Sequence, residues 1–124
     1  MGFNIVVHGE ERILEISYPP APTVEDIVAY AGRVRQAIDG MGEGWAALVD
    51  QRHLRTVPRE LMPTLAGLNA YAQLRGMTRS ARVVADAPSG LLAWRMTKQA
   101  LLTIPARTFE TRDEALEWLR EPEE

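Results

Sequence analysis

The chain has 124 residues, of which 46% are hydrophobic and 25% charged, and its formal net charge is −3. This length suits one domain with a self-sufficient core, and this composition is that of a globular protein rather than a disordered one. The absence of cysteine excludes disulfides, thiol nucleophiles and cysteine-ligated metals. The small negative charge provides no general basic surface for nucleic acid.

The sequence carries no signal of export or of membrane insertion. Residues 1–7 lack a basic region followed by a long apolar core, so they do not resemble a signal peptide. No run approaches the roughly 18 apolar residues that a membrane span needs. The most apolar stretch, residues 91–104, is interrupted by Arg95 and Lys98. These features predict a cytoplasmic protein without an integral membrane segment.

Two strands joined by a tight turn begin the chain. Residues 3–8 and 12–18 have the apolar patterns of strands, and the polar residues 9–11 between them suit a hairpin turn. Strands joined this tightly must be antiparallel. In the second strand, one alternating set is uniformly apolar and is predicted to face the core, namely Leu14, Ile16 and Tyr18.

Helices and strands alternate through the rest of the chain. Helical spacing of apolar residues predicts four helices, at about 24–40, 58–74, 89–102 and 112–119. Short apolar runs between them predict strands at 45–49, 81–85 and 104–109. Good N-cap residues support three of the helix starts, namely Thr23, Ser89 and Thr111, the last in a capping box with Glu114.

The element order β-β-α-β-α-β-α-β-α predicts an α/β fold. It consists of a mixed sheet of about five strands, with an antiparallel hairpin followed by parallel β-α units, covered on both faces by about four helices. Pro63 should kink the second helix or begin a fresh first turn there. We predict a single domain over residues 1–120 and an acidic tail over residues 121–124.

This order and three stretches of sequence resemble the STAS-like family. The stretches are a strand that ends in Val49 and Asp50, the run 106–109, and the helix 113–119 that follows it. The family comprises bacterial proteins similar to sporulation anti-sigma-factor antagonists, with a SpoIIAA-like fold related to CRAL-TRIO lipid-binding folds. The resemblance covers nearly the whole chain. It implies a four- or five-stranded mixed sheet with helices around it.

The resemblance also draws attention to the residues after Asp50. Antagonists of this family carry a phosphorylatable Ser or Thr just after the aspartate that ends the central strand. Here Gln51 follows directly, and the first hydroxyl along the chain is that of Thr56. The phosphorylation switch is therefore not carried over to this chain.

Candidate binding residues follow the two central strands. Ligands of open α/β sheets bind beyond the carboxyl ends of the parallel strands. This rule selects Asp50, Arg52 and His53 after one strand, and Asp86 and Ser89 after the next. If the strands are neighbours, their loops converge. Alternatively, the aspartates cap turns or helices.

The same residues include the types found in a hydrolase triad. However, Ser89 lacks the Gly-x-Ser-x-Gly turn that exposes a nucleophilic hydroxyl. The two histidines, His8 and His53, show no spacing typical of metal ligands. Three arginines, Arg75, Arg79 and Arg82, form a local basic cluster that suits the end of a helix.

Residues 89–102 are apolar around more than one face, which a surface helix does not need. The stretch is a more central helix, the wall of an apolar ligand pocket, or a surface that docks on a second subunit. The candidate contact residues within it are Leu92, Trp94 and Met96.

We therefore expect a non-enzymatic binding or regulatory module that acts by protein-protein interaction, with a protein partner or as a homodimer. We expect no cofactor, no metal and no nucleic-acid partner. One alternative is a carrier of an apolar small molecule or lipid, with residues 89–102 as its wall or lid. A second alternative is a hydrolase-type enzyme that uses Asp50, His53, Asp86 and Ser89.

Overall fold

The structure is a computed structural model that describes residues 2–122. Its strands are β1 (Asn4–His8), β2 (Ile13–Ser17), β3 (Trp45–Asp50), β4 (Met77–Val83) and β5 (Ala106–Phe109). Its helices are α1 (Val24–Met41), α2 (Met62–Leu74), α3 (Ala87–Ala100) and α4 (Arg112–Arg120), with a 3₁₀ turn at Arg59–Leu61. Of the predicted tail 121–124, residues 123 and 124 lie outside the described residues.

The five strands form one mixed sheet in the order β1-β2-β3-β4-β5. The β1–β2 pair is antiparallel and the other pairs are parallel, as predicted. Because the parallel strands follow one another in sequence order, right-handed crossovers place α1, α2 and α3 on one face. The last helix, α4, packs on the other face. The order never reverses, so the sheet has no switch point at which a ligand crevice would open.

The larger core lies between the sheet and the helices α1, α2 and α3. It contains the predicted inward set of β2, with Leu14 at 1% exposure, together with alternate residues of β3. Its helical part comes from all three crossover helices and includes Ile27, Tyr30, Val34, Leu65, Leu68 and Met96. The apolar periodicity of the sequence therefore identified this face correctly.

A smaller core lies under α4 on the opposite face. Leu48 of β3 and Val83 of β4 have no exposed surface there, and they pack against Leu116 and Trp118. β3 is thus buried on both faces, which explains why its sequence is a continuous apolar run rather than an alternating one.

Two strand boundaries differ from those predicted. β4 begins at Met77 rather than at residue 81, because its polar first half is held by distant partners. Thr78 Oγ1 donates to the Trp45 carbonyl at 3.2 Å, and Arg79 Nη1 donates to the Trp118 carbonyl at 2.7 Å. β5 begins at residue 106 rather than at 104, because the preceding Pro105 cannot donate to the ladder.

The helix ends also refine the prediction. α1 extends to Met41, and Gly42 takes the positive φ of 73° beyond it. Pro63 lies in the first turn of α2, which confirms the fresh start rather than the kink. At the start of α4, Thr111 accepts from the Glu114 amide at 3.2 Å. The Glu114 carboxylate instead accepts from the Thr111 hydroxyl, so the predicted second amide bond is wrong.

Candidate functional site

The loops after β3 and β4 converge, because these strands are neighbours in the sheet. Arg55 Nη1 of the first loop lies 2.9 Å from Asp86 Oδ2 of the second. Within the first loop, Arg52 donates to Asp50 Oδ1 from Nε at 3.0 Å and to Oδ2 from Nη2 at 2.8 Å. Burial raises the pKa of Asp50, but these hydrogen bonds outweigh it and leave that pKa below its ordinary value. Asp50 is therefore an ionised partner of Arg52.

Ser89 stabilises the start of α3, but it is not the N-cap that the sequence predicted. Asp86 is the N-cap, and its carboxylate accepts from the Ser89 amide at 3.0 Å. The Ser89 hydroxyl accepts in return from the amides of Ala85 at 3.0 Å and of Asp86 at 3.2 Å. Asp86 and not Ser89 is the N-cap, because Asp86 has the extended backbone that this position requires.

The residues of the predicted triad do not assemble into one. The Ser89 side chain is buried and engaged in the cap. His53 is exposed, and within residues 2–122 no hydrogen bond joins it to Ser89 or to either aspartate. A nucleophile needs a base within hydrogen-bond reach. The Ser89 hydroxyl donates to Asp86 Oδ1 at 3.0 Å within the cap, and His53 does not take the place of the triad base.

The three candidate residues of α3 lie on two faces of that helix. Met96 has no exposed surface and Leu92 is half-buried against the larger core, whereas Trp94 is 56% exposed. α3 covers the sheet with one face and leaves the opposite face open. The surplus of apolar residues is therefore explained by an exposed face and not by a central position in the fold.

We call this exposed face the outer stripe of α3, and it consists of Leu91, Trp94, Arg95, Lys98 and Leu101. Its leucines are 48% and 78% exposed. The Lys98 ammonium lies 4.8 Å from the centre of the Trp94 ring. Between residues 87 and 109 the sequence has three basic side chains and no acidic one, although the whole chain is acidic.

A buried arginine lies beneath α3, and sequence reasoning missed it. The sequence predicts a basic cluster of Arg75, Arg79 and Arg82, and this prediction is wrong. Arg75 lies near Asp39 and Arg79 binds carbonyls at the end of α4, whereas Arg82 is only 2% exposed. The alternation of side chains along β4 could have revealed the burial of Arg82. It places Arg82 on the face opposite to Ala81 and Val83, which is the face under the crossover helices.

The Arg82 guanidinium donates to a neutral side chain. Its Nη1 donates to Gln51 Oε1 at 2.6 Å, and Gln51 Nε2 lies 3.5 Å from Met96 Sδ. Tyr18 Oη lies 3.9 Å from the same sulfur. Burial raises the pKa of Tyr18, although the nearby positive charge of Arg82 opposes that rise. Within residues 2–122, Nε and Nη2 of Arg82 have no hydrogen-bond partner.

Arg82 also lines a crevice of about 210 Å³ between α3 and β5. The α3 wall is formed by Ala93, Trp94 and Thr97, and the β5 wall by residues 106–108. A larger and more open groove of about 660 Å³ runs along α4 and is lined by several glutamates. A cavity of about 20 Å³ lies within the larger core.

A second polar network crosses the opposite face of the sheet. Glu15 of β2 accepts from Arg112 Nε at 2.8 Å and from Nη2 at 2.9 Å. His8 Nε2 lies 2.8 Å from the same carboxylate. These contacts tie α4 to the hairpin.

The described residues were compared with the requirements of a metal site and of a membrane-spanning helix. Within residues 2–122, no three His, Asp or Glu side chains come together as a set that could hold a metal ion. None of the helices in the same range combines the length and the apolar character needed to cross a bilayer.

Comparison with known proteins bears on the fold. No protein-family model matches the chain, and no curated protein matches it. The chain is similar to the crystal structure of an uncharacterised protein from the DUF3478 family with a SpoIIAA-like fold, from Shewanella loihica PV-4. The TM-score is 0.69 over 95% of this chain and 94% of that chain, at 19% sequence identity. The fold is therefore SpoIIAA-like, as the sequence resemblance implied.

Proposed function

We propose that this SpoIIAA-like domain is a non-catalytic binding module that acts by protein-protein interaction through the outer stripe of α3. The observation that carries this proposal is the composition of the stripe, in which three exposed apolar side chains stand beside Arg95 and Lys98. Trp94, at 56% exposure, is the natural anchor, because tryptophan and arginine dominate the energetics of protein interfaces.

The partner has an acidic rim around an apolar groove. The basic side chains of the stripe attract an acidic partner surface during association. They would repel a partner surface that is itself basic. A second copy of this chain is a poorer match, because a two-fold contact would place the stripe against its own basic residues. An anionic membrane is also a poorer match, because lipid-binding segments typically carry about four to eight clustered Lys or Arg residues.

The other sequence-predicted residues support this surface from within the fold. Asp86 and Ser89 fix the start of α3, while Leu92 and Met96 pack its inner face. The loop that contains Arg52 and His53 is linked to the start of α3 through the Arg55–Asp86 pair. We assign this loop to the rim of the interface.

Site-specific photo-crosslinking in the protein's own cells tests the proposal. A photoreactive phenylalanine analogue replaces Trp94, and the control carries it at Val28, an apolar residue of α1 that is 64% exposed. We expect one discrete protein adduct from position 94 and none from position 28. The adduct should disappear when Arg95→Glu and Lys98→Glu are added, because the acidic rim is then repelled.

Three outcomes would contradict the proposal. Equal labelling from both positions would mean that the stripe has no specific partner. An adduct between two copies of the chain would identify a homodimer instead. Charge-dependent sedimentation of the purified protein with phosphatidylglycerol vesicles, without a protein adduct, would identify a membrane surface instead.

The alternative of a lipid carrier has less support. The cavity detected in the larger core, of about 20 Å³, has room for about one water molecule and is far smaller than the roughly 300 Å³ or more of ligand pockets. A lipid chain could enter only if α3 left the sheet. Native mass spectrometry of protein purified from its own cells would detect such a ligand.

A further inference from the structure

We infer that the open edge of β5 binds an extended peptide in which basic and apolar side chains alternate, and that this peptide adds a strand to the sheet. The inference does not rest on the interaction proposed for the outer stripe, because it concerns the sheet edge and the groove along α4. It rests on the backbone groups that β5 directs away from the sheet, on the free space beside this strand, and on the charge of that groove.

β5 is an edge strand, and its only neighbour in the sheet is β4. The Phe109 carbonyl accepts from the amide of Val84, the residue after β4, at 2.9 Å. Successive residues of a strand direct their backbone groups to opposite sides. The amides and carbonyls of Ala106 and Thr108 therefore point away from β4. Such a row of backbone donors and acceptors is a template for a strand from another chain.

Free space borders β5 on both faces of the sheet. Arg107 and Thr108 line the groove of about 660 Å³ along α4, and the same two residues line the crevice of about 210 Å³ beside α3. Three of the four residues of β5 are exposed. A strand added to this edge therefore has room for its side chains on both faces.

The two cavities predict the side-chain pattern of the peptide. Successive side chains of a strand point to opposite faces of its sheet, so one alternate set enters the groove along α4 and the other set enters the crevice. The α3 wall of the crevice contains Ala93 and Trp94, the latter a member of the outer stripe. This apolar wall and the small volume of the crevice fit aliphatic side chains.

The groove along α4 selects a basic set for the other face. Its lining carries one guanidinium and four carboxylates, the latter from Glu110, Glu114, Glu117 and Glu121. All four glutamates are exposed, and within residues 2–122 none of them forms a salt bridge. The guanidinium of Arg107 lies over the rings of Phe109 and Trp118 instead. Lysine or arginine side chains of a peptide complement this surface, and acidic ones are repelled.

A second copy of this chain is a poorer occupant of the edge. A two-fold contact between two β5 edges would bring the glutamates of both copies together. The other edge of the sheet is β1 (Asn4–His8), which contains no lysine or arginine and cannot supply the basic set. A partner with a basic, extended segment matches both the backbone and the charge.

NMR titration of the purified protein tests this inference at about 0.15 M salt, where distant surface charges are screened. The probe is a short capped peptide of alternating lysine and valine. One control peptide has the same composition with lysines and valines in separate blocks, and another has glutamate in place of lysine. We expect saturable binding of the probe with a Kd of about 0.1 mM or tighter, and binding of each control at least about tenfold weaker.

The Thr108 amide reports whether the peptide pairs with the backbone. Its exchange with solvent should slow on binding, because the bound peptide accepts its hydrogen bond. Thr108→Pro removes this amide and keeps the ladder to β4, so affinity should fall at least about tenfold while the urea midpoint shows that the variant folds. The matched control is Thr108→Val, which keeps the amide and should bind like the wild type.

Charge reversal tests the groove along α4. The double variant Glu110→Lys with Glu117→Lys should lose at least about tenfold in affinity. The control is Glu10→Lys with Glu60→Lys, which makes the same change in net charge at two exposed glutamates that do not line the groove. It should bind like the wild type.

A change in the peptide tests strand addition without altering the protein. Only one alternate set of the peptide amides can face β5. Methylation of the backbone nitrogens of either the lysines or the valines should therefore abolish binding, whereas methylation of the other set should not. This comparison stands even where Thr108→Pro fails to fold.

Each contrary result overturns the inference. Equal affinity of the block peptide means that charge alone attracts it, and equal affinity of the glutamate peptide removes the role of the groove. Affinity that both methylated peptides keep, or that Thr108→Pro keeps, excludes strand addition. Loss of binding in Thr108→Val assigns recognition to the hydroxyl instead. A shift of the Thr108 amide that depends on protein concentration without peptide, and that accompanies a dimer, makes a second copy the occupant.

Discussion

At the residue scale, Glu15 shows how a single carboxylate joins parts of the chain that are far apart in sequence. Its partner Arg112 lies 97 positions later, and its other partner is His8 on the first strand. The hydrogen bonds from Arg112 lower the pKa of Glu15, burial opposes this, and the net result is a pKa below the ordinary value of 4.5. Glu15 is therefore more stable as an anion in the folded state than in the unfolded state.

We predict that Glu15→Gln lowers the free energy of unfolding at neutral pH by about 1 to 3 kcal/mol, because hydrogen bonds between charged groups are lost. Urea denaturation measures this change. Glu11→Gln is the control, because Glu11 forms a similar pair with Arg120 on the exposed surface. That variant should unfold like the wild type. Equal effects of the two substitutions would contradict the structural role of Glu15.

The same pair predicts a pH dependence. A carboxylate with a lowered pKa in the folded state contributes its full stabilisation above its ordinary pKa, here 4.5, and loses it as the pH falls toward the folded-state pKa. The stability difference between the wild type and Glu15→Gln should therefore shrink below pH 4.5. Urea midpoints measured across this range test the prediction. A difference that stays constant on acidification would refute it.

At the scale of elements, the end of α3 carries local strain next to its exposed face. Leu101 has a φ of 54° and a ψ of 45°, in the left-handed region that favours glycine, and its side chain is 78% exposed. A leucine there costs roughly 1 to 2 kcal/mol in backbone energy and gains little from burial. This leucine belongs to the outer stripe that we propose as the interaction surface.

We predict that Leu101→Gly raises the free energy of unfolding by up to about 1 kcal/mol, because glycine relieves the strain. The matched control is Leu74→Gly, at the end of α2, where the leucine is 81% exposed but has no positive φ. This control should lose about 0.5 to 1 kcal/mol. Thermal unfolding compares the two. A loss of stability in both variants would show that Leu101 is not strained.

Gly76, between α2 and β4, is required for a close approach of two segments. Its φ is 104°, and a Cβ there would lie 2.6 Å from the Glu43 Cα. Its carbonyl accepts from the amides of Gly44 at 3.0 Å and of Trp45 at 3.3 Å. These two hydrogen bonds therefore align the starts of β3 and β4.

We predict that Gly76→Ala lowers the free energy of unfolding by about 2 to 4 kcal/mol, because backbone must move to admit the methyl group. Gly67→Ala is the control, since Gly67 lies within α2 and has open space around it. That change should add about 0.5 to 1 kcal/mol. Urea unfolding of both variants gives the comparison, and effects of the same sign would contradict it.

At the scale of the whole molecule, one sheet supports two cores of unequal size. Three helices cover one face and α4 alone covers the other. Trp118 is the largest side chain of the smaller core, and its ring centre lies 5.6 Å from that of Phe109. Because β3 and β4 contribute to both cores, the two faces should unfold together in one cooperative transition.

We predict that Trp118→Ala lowers the free energy of unfolding by about 3 to 5 kcal/mol, because it removes a buried ring. Trp94→Ala, on the outer stripe, should change it by no more than about 0.5 kcal/mol. Far-ultraviolet and near-ultraviolet circular dichroism during urea unfolding measure both effects. Separate transitions by the two probes would show that the cores unfold independently.

The sequence by itself determined the elements and their order. Helical and alternating periodicities identified the strands and helices, and the inward set of β2 with Leu14 was correct, because these patterns arise from burial of one local face. The tight turn after β1 and the continuous apolar run of β3 were enough to predict a mixed sheet. The resemblance to SpoIIAA-like proteins rested on this order together with three stretches of sequence, and the structural comparison bears out that fold.

Only the tertiary structure decided which polar residues form helix caps, ion pairs and buried hydrogen bonds. Asp86 rather than Ser89 caps α3 because of its backbone conformation, and Arg55 of another loop binds it. Arg82 is buried because its strand lies beneath α3, and its partner Gln51 comes from 31 positions earlier. Such facts depend on contacts between distant segments, and no local pattern records those contacts. The polar contacts beneath α3 are therefore decided by the folded structure and not by local sequence.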